Sequence, residues 1–456
     1  MAKKQIDMTE GPILGRMILF TLPVLATGVL QLLFNASDLA VVGQFGGADS
    51  QIEVGAVGSC GALINLIVNL FMGLAVVAGV IAAQDIGAKR YEAVHKLADT
   101  ALTVSLIGGV AVGVFGFFAT EPLLRLMGTT KEILPSAVPY MKAYFTGMPG
   151  CLLYNYLAAI QRSGGDTKHP LLFLAISGVA NVGLNILMVA GFKLGALGVG
   201  IATSASQYIA AAILIFMLRE EGCCRVTGFA LDGERLKKMV LIGLPAGLQG
   251  TLFSLSNVII QSSINAYGTY VVAGNAAGSN LDGFLYIAMN SVYTAALTFV
   301  GQNVGAGKYA RIKKISFLCV GLVTFIGVSL GVVLVVFGEK LLLIFATGEN
   351  KDAVVKAGMN RLLVMGTTYF LCGLMDVGCG IMRGMGKTIL PMIVSLVGSC
   401  LFRIVWIATV CPLFPGNILA LYISYPISWF ITAAVHYGCC IHNYRALMRR
   451  GAVPAV

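Results

Sequence analysis

The chain has 456 residues, of which 57% are hydrophobic and 11% charged, and its mean hydropathy is +0.87. A soluble domain carries about 25% charged residues, so the composition excludes a soluble globular protein and indicates a helical integral membrane protein. The net charge of +11 would suit a nucleic-acid partner, but the placement of the basic residues argues against that class of protein.

Apolar runs separated by polar or Gly/Pro-rich breaks predict twelve membrane-spanning helices. A helix needs about 20 predominantly apolar residues to cross a bilayer, and each run has roughly that length. In chain order the predicted spans cover residues 16–42, 54–82, 93–118, 135–160, 169–190, 195–218, 237–265, 272–301, 312–337, 357–382, 389–411 and 417–442.

Lysine and arginine are distributed unevenly between the two sides of these spans. Of the 31 basic residues, 22 fall on the side of the N-terminus, six fall on the opposite side and three lie within spans. Cytoplasmic loops of membrane proteins carry the excess of positive charge. The pattern therefore predicts that both termini are cytoplasmic, and it accounts for the net charge without nucleic acid.

The sequence repeats itself once. Three pairs of segments match in the same order, and the two members of each pair are separated by nearly the same length of chain. The repeat predicts an N-terminal lobe at 1–218, a cytoplasmic linker at 219–236 and a C-terminal lobe at 237–456. The matching segments are "AAQDIGAKRYEAV" (82–94) with "VGQNVGAGKYARI" (300–312), "QRSGGDTKHP" (161–170) with "MRGMGKTILP" (382–391), and "RMILFTLPVLATG" (16–28) with "KMVLIGLPAGLQG" (238–250).

Each predicted lobe has six spans, an even number, so both lobes enter the membrane from the same side. Such parallel repeats, related by an axis along the membrane normal, occur in transporters that work by alternating access. A channel is less natural, because the sequence contains no recognisable filter motif.

Ionisable side chains inside a membrane are costly, and they indicate a functional site or a structural ion pair. Asp38 lies in "LLFNASDLAVV", with no Lys or Arg nearby in the sequence. Spacings of four, four and three residues place polar side chains on one face of its helix. These side chains are Thr27, Gln31, Asn35 and Asp38.

The fifth and sixth spans carry oxygen-bearing side chains at the depth of Asp38. Counting inward from the outer ends places Asp38, Asn185 and Thr203 within roughly 6 Å of one another in depth. Hard cations such as Na⁺ prefer oxygen ligands, and a carboxylate can also carry a proton. We therefore expect a cation or proton site here, with hydrogen bonds that only hold the helices together as the alternative. Its residues are Asp38, Asn35, Asn181, Asn185 and Thr203, and Na⁺ would use all of them except Asn35.

The second half lacks this cluster, because the repeat places Ile260 opposite Asp38. Arg403 is a candidate to neutralise either of the two intramembrane acids there, Asp282 or Asp376. If it does, that aspartate is structural; otherwise the cavity is acidic and suits cationic guests, which aromatic rings can also bind. The candidate residues for a substrate cavity are Gln31, Asn155, Asp282, Tyr286, Asn290, Asp376 and Arg403.

Two prolines predict places where helices bend. Pro23 lies in the first span, and Pro245 lies at the matching position of the seventh. Proline removes a helical hydrogen bond, so a hinge at each position would let ion occupancy at Asp38 change the shape of a cavity. An ordinary proline in a membrane helix is the alternative.

Signals of catalysis are weak in this sequence. It contains no G-x-x-x-x-G-K-[ST] motif for ATP, its four histidines have no metal-binding spacing, and its eleven cysteines are scattered. We therefore expect a protein that is not an enzyme and needs no cofactor apart from a coupling ion.

At this point several motifs resemble the multidrug and toxic compound extrusion (MATE) family, most closely its bacterial DinF-like branch. They are "QNVGAGK" after the eighth span, "RGMGKT" after the tenth, Asn35 and Asp38 in the first, and "NVGLN" followed by "GIAT" in the fifth and sixth. The resemblance covers nearly the whole chain.

The resemblance implies an all-α fold of twelve transmembrane helices in two pseudo-symmetric six-helix bundles arranged as a V. It also implies export of cationic, lipophilic or aromatic compounds by Na⁺ or H⁺ antiport. Asp38, Asn181 and Thr203 match a cation site in the first lobe of prokaryotic members. Asn185 departs from the pattern, because many members have Asp there. The site then has a single carboxylate, and we favour H⁺ over Na⁺ as the coupling ion.

A bacterial inner membrane is the expected location, and the expected partners are small organic cations or other amphipathic molecules and the lipid bilayer. We expect a monomer. One alternative is a flippase for lipid-linked precursors, which should need several basic residues in its cavity, whereas the sequence indicates one deep arginine. A non-transporting receptor or scaffold is a further alternative, and the paired halves and buried carboxylates argue against it.

Overall fold

A computed structural model describes residues 6–46, 50–220, 222–345 and 350–451. Within these ranges the chain is built from helices and short connections, without strands. The helices are α1 (Ile13–Phe45), α2 (Ser50–Gly87), α3 (Tyr91–Leu126), α4 (Leu134–Thr146), α5 (Met148–Ser163), α6 (Lys168–Ile186), α7 (Gly195–Glu220), α8 (Gly233–Asn265), α9 (Thr269–Gly305), α10 (Tyr309–Leu342), α11 (Lys351–Gly384), α12 (Ile389–Ser395), α13 (Phe402–Thr409), α14 (Ile418–Tyr422) and α15 (Ser424–Gly451).

The predicted all-helical membrane fold is confirmed. In the described residues, 11 helical stretches are long and apolar enough to cross a membrane. The one remaining predicted span, the fourth at 135–160, consists of α4 and α5, which are separated at Gly147. Pro149 is the second residue of α5, and because proline has no N–H it cannot continue the hydrogen-bond pattern of α4.

Two helices contain short π-helical segments. One, Leu187–Gly191, follows α6 and begins two residues after the predicted site residue Asn185. The other, Leu396–Leu401, joins α12 to α13. A π-helical turn is rare in proteins and is frequent at functional sites.

The chain divides into two compact units. Unit 1 comprises Met1–Ile6 and Ala26–Leu248, and unit 2 comprises Asp7–Leu25 and Gln249–Val456. These bounds differ from the predicted lobes, 1–218 and 237–456 with a linker at 219–236, because α1 and α8 each divide between the units. Lys3 and Lys4, which entered the count of basic residues, lie outside the described residues.

Glycines allow close helix contacts within each unit. In unit 1 a Cβ added at Gly178 of α6 would collide with the ring of Phe34 of α1. In unit 2 a Cβ at Gly331 of α10 would collide with the carbonyl oxygen of Gly366 of α11. Membrane helices associate through small residues in this way, since lipid gives them no hydrophobic drive to pack. The Gly178 contact brings α1 against the helix that carries Asn181 and Asn185.

Candidate functional site

Asp38 is a buried carboxylate in unit 1, with 7% of the residue exposed. Its Oδ1 accepts a hydrogen bond of 2.6 Å from Nδ2 of Asn185 on α6. Its Oδ2 accepts a hydrogen bond of 3.3 Å from the hydroxyl of Thr203 on α7. Three helices therefore bring these predicted side chains together, and no basic side chain forms an ion pair with Asp38 among the described residues.

Asn185 lies at the centre of this group and is fully buried. The Nδ2 that donates to Asp38 also donates to Oδ1 of Asn181, at 3.2 Å. Its own Oδ1 is buried without a hydrogen-bond partner in the described part of the chain. A buried polar atom without a partner is unfavourable by about 1–3 kcal/mol, so this oxygen is a candidate ligand for a cation or a proton donor.

Gln31 and Asn35 do not join this group. Both are exposed, although they share the predicted polar face with Asp38. A residue turns by about 100° in an α-helix, so each step of four residues drifts by roughly 40°. Eleven residues bring Asp38 back to within roughly 20° of the buried Thr27, while Asn35 is rotated away from both.

Two tyrosines on α4 also lie near Asp38, and they were not among the residues predicted from the sequence. Tyr140 and Tyr144 lie close enough to interact electrostatically with its carboxylate. Beside them, Ser204 of α7 donates a 2.6 Å hydrogen bond to the carbonyl of Ala143, which ties α7 to α4 next to Thr203. The four-residue spacing of the tyrosines within one span was the available signal.

Asp282 of unit 2 forms an ion pair with Arg361 of α11. The arginine Nε and Nη2 each lie 2.8 Å from Oδ2 of Asp282, and its Nη1 donates to Oδ1 of Asn275 at 2.7 Å. Tyr422 also donates to that amide oxygen, at 3.2 Å. Arg361 was not among the residues predicted from the sequence, and the suggestion that Arg403 neutralises Asp282 is wrong.

Arg403 lies elsewhere in unit 2, on α13, and its side chain contacts α15. Its Nε donates to the hydroxyl of Ser428 at 2.9 Å, and its guanidinium lies 4.2 Å from the ring centroid of Tyr425 and 5.5 Å from that of Trp429. Aromatic rings stabilise a cation in this arrangement, which offsets part of the cost of burying it. It forms no ion pair with Asp376 in the described residues.

The remaining predicted cavity residues are less connected. Asp376 is half-buried and interacts electrostatically with Arg383 and Tyr286, whereas Tyr286 and Asn290 are exposed. In unit 1, Asn155 donates its Nδ2 to the carbonyl of Cys151 on its own helix, at 2.8 Å.

Unit 2 contains more deep positive charge than the single arginine that the sequence indicated. Arg361, Arg383 and Arg403 are 8%, 7% and 5% exposed. Arg383 donates to the hydroxyl of Tyr293 at 2.6 Å and to Gln249 at 2.8 Å. Of the three, Arg361 is neutralised by Asp282.

The predicted hinge prolines lie near the division between the units. Pro23 lies inside α1, two residues before Leu25, and Pro245 lies inside α8, three residues before Leu248. The hinge role remains a prediction.

No group of three or more His, Cys, Asp or Glu side chains in the described ranges is arranged to hold a metal ion. Na⁺ does not need such a group, because neutral oxygens and one carboxylate can bind it. The site oxygens are those of Asp38, Asn181, Asn185 and Thr203. With one unpartnered oxygen at Asn185, this set fits a hard monovalent cation or a proton.

Comparison with known proteins identifies related sequences. The family model MatE matches residues 23–187 and 245–409, more than half of the chain, and the two matches begin at the paired prolines of the repeat, Pro23 and Pro245. The chain is 26% identical over 434 residues to probable multidrug resistance protein YoeA of Bacillus subtilis, covering 92% of each chain. It is 28% identical over 405 residues to probable multidrug resistance protein YpnP of the same organism, covering 88% of this chain and 89% of that protein.

A solved structure shares the fold. The crystal structure of MATE in the bent conformation matches with a TM-score of 0.90 at 18% identity, covering 99% of this chain and 100% of that chain. Both relatives are named probable multidrug resistance proteins, and this chain has the apolar helices of a membrane protein. The protein therefore belongs to the MatE family of membrane transporters, the family of multidrug and toxic compound extrusion proteins.

Proposed function

We propose that the protein is a secondary antiporter that exports cationic, lipophilic or aromatic compounds by alternating access. Inward movement of H⁺ or Na⁺ through the unit 1 site centred on Asp38 drives the export. The observation that carries this proposal is a buried carboxylate held by Asn185 and Thr203, without a basic partner in the described chain. The names of the relatives, probable multidrug resistance proteins, support the substrate class.

The site can hold either coupling ion. When Asp38 is ionised, the N–H of Asn185 and the O–H of Thr203 donate to it, which stabilises the negative charge. When a proton or Na⁺ arrives, the amide of Asn185 can turn so that its Oδ1 faces the added positive charge. The single carboxylate then becomes neutral with one monovalent cation, and we favour H⁺.

The proposal extends to the location of the protein, its orientation in the membrane and its oligomeric state. We propose that the protein lies in the bacterial inner membrane with both termini cytoplasmic, works as a monomer and needs no cofactor apart from the coupling ion. Its partners are small organic cations or other amphipathic small molecules and the lipid bilayer.

Ethidium export by everted membrane vesicles tests the proposal, with an imposed H⁺ or Na⁺ gradient. Asp38→Asn should abolish gradient-driven export at normal expression, because the variant side chain cannot carry the ion's compensating charge. Asp352→Asn is the matched control, since that carboxylate is exposed at the start of α11. Full export by Asp38→Asn would overturn the ion-site assignment.

A flippase for lipid-linked precursors is the second candidate, favoured by the buried arginines of unit 2. A pyrophosphate-bearing lipid needs several positive contacts, and Arg383 and Arg403 form no ion pair among the described residues. Translocation of a fluorescent lipid pyrophosphate in reconstituted vesicles, without ethidium export, would favour this candidate over the antiporter.

A further inference from the structure

Two short segments precede α1 and α8 on the side of the basic loops, and each is held by its own unit. The first pre-helix segment is Asp7–Gly11, in unit 2, and the second is Val226–Asp232, in unit 1. They are related by the repeat, since the register that pairs Pro23 with Pro245 also pairs Glu10 with Asp232.

In unit 2, the turn between α9 and α10 holds the first pre-helix segment. Asn303 donates to the carbonyl of the fully buried Met8 at 3.0 Å. Lys308 donates to the carbonyl of Thr9 at 3.2 Å and to the carboxylate of Glu10 at 3.1 Å. Arg311 adds hydrogen bonds of 3.3 and 3.2 Å to the carbonyls of Glu10 and Gly11. We call this set the first clasp.

In unit 1, residues at the end of α2 and in the first turns of α3 hold the second pre-helix segment and the start of α8. Arg235 donates to Asp85 at 2.6 Å. Asp99 accepts from the backbone N–H groups of Thr227 and Gly228, at 2.7 and 3.1 Å. The N–H of Asp232 donates to the hydroxyl of Thr100 at 3.1 Å. We call this set the second clasp.

The two clasps use corresponding positions of the repeat. In the matched segments 82–94 and 300–312, Asp85 corresponds to Asn303 and Arg90 corresponds to Lys308. In the first clasp the turn carries the bases and the segment carries the acid Glu10. In the second, the end of α2 carries the acid Asp85 and α8 carries the base Arg235.

The second clasp is strong enough to fix the start of α8. The side chain of Asp85 is 3% exposed and that of Arg235 is 16% exposed, whereas Arg90, which also contacts Asp85, is 62% exposed. A largely buried, hydrogen-bonded ion pair is screened much less than a surface pair, and losing one partner leaves a buried charge. Close packing continues along the helix, since a Cβ at Gly247 of α8 would collide with the carbonyl of Leu70 on α2.

We propose that the two clasps are positioning elements of the transport cycle. They fix the start of α1 in unit 2 and the start of α8 in unit 1, so that each helix bends only near Leu25 or Leu248, beyond its proline. This inference rests on the proposed antiport function, because it assigns the clasps a part in the conformational change. It names Asp85, Arg235, Asn303, Lys308 and Arg311 as positioning residues.

The test compares Arg235→Gln with Arg90→Gln in the full-length protein. Both variants remove one ion pair to Asp85, but only Arg235 holds α8. Amide hydrogen exchange in residues 226–238 should become about tenfold faster in Arg235→Gln and stay unchanged in Arg90→Gln. The maximal rate of ethidium export should fall several-fold in Arg235→Gln, with unchanged apparent substrate affinity and unchanged proton release from the Asp38 site. Arg235→Lys should restore most of the rate.

Contrary outcomes distinguish the clasp itself from its role in transport. Unchanged exchange in Arg235→Gln would overturn the clasp, and faster exchange with a wild-type export rate would overturn its role in transport. A fall in proton release together with export would mark a general structural defect and would also overturn that role. If the wild-type protein exports nothing under either gradient, the proposed function fails instead.

Discussion

At the scale of single residues, the candidate site depends on one carboxylate and one amide. The NH₂ group of Asn185 donates to both Asp38 and Asn181, and its oxygen has no hydrogen-bond partner among the residues that the structure describes. An amide can present either a donor or an acceptor to a neighbour, whereas a carboxylate can only accept until it is protonated. The identity of residue 185 should therefore decide which ion the site prefers.

Replacing Asn185 with Asp should shift the site towards Na⁺. The variant places two carboxylates in contact, and a cation between them relieves their repulsion. We expect Na⁺ to raise the melting temperature of the purified Asn185→Asp variant by several degrees and that of the wild type by less. Thermal unfolding in NaCl and in choline chloride measures the difference. Equal responses of both proteins would contradict this role of residue 185.

The ion pair of Asp282 and Arg361 should be structural. Arg361→Met leaves a buried carboxylate without its partner, which costs roughly 3–5 kcal/mol. The double variant Asp282→Asn, Arg361→Met removes both charges and should regain most of that stability. Thermal unfolding in detergent compares the three proteins. If the double variant is as unstable as Arg361→Met, the pair stabilises the protein by more than the neutralisation of its two charges.

At the scale of helices, the site depends on how closely α1 approaches α6. The ring of Phe34 occupies the space where a side chain at Gly178 would begin. On the same helix, a Cβ at Gly183 would meet no atom within 4 Å. These two glycines separate the effect of packing from that of helix propensity, because both lie inside α6.

Gly178→Ala should therefore destabilise the protein, while Gly183→Ala should not. Overpacking typically costs about 1–3 kcal/mol, and here it would also push α1 and Asp38 away from Asn185. We expect a lower melting temperature and weaker ion binding for Gly178→Ala only. If Phe34→Leu, which frees space at this contact, fails to rescue Gly178→Ala, the assigned cause is incorrect.

At the scale of the whole molecule, basic residues predict the orientation in the membrane. The loop between α3 and α4 and the segment between α7 and α8 should lie on opposite sides, with the second in the cytoplasm. Alkaline phosphatase fused after Gly128 should be active, because the enzyme folds only outside the cytoplasm, and a fusion after Gly228 should be inactive. The reverse pattern of activities would contradict the predicted topology.

The sequence by itself determined the helical membrane fold, the repeat and the depth at which Asn185 and Thr203 could meet Asp38. Those properties depend on the lengths of apolar runs and on depth along each helix, which residue counts give directly. It did not determine that Asn35 turns away, because rotation accumulates by residue and only packing shows which part of a face is buried.

Only the tertiary structure decided that Arg361 pairs with Asp282 and that α1 and α8 each divide between two compact units. Arg361 is far from Asp282 in the chain, and the sequence had indicated Arg403 as the one deep arginine. The division of α1 agrees with contacts to residues distant in the chain, such as the edge-on packing of the Phe20 ring against the Phe299 ring. Such contacts depend on three-dimensional packing, and neither hydropathy nor the local spacing of residues predicts them.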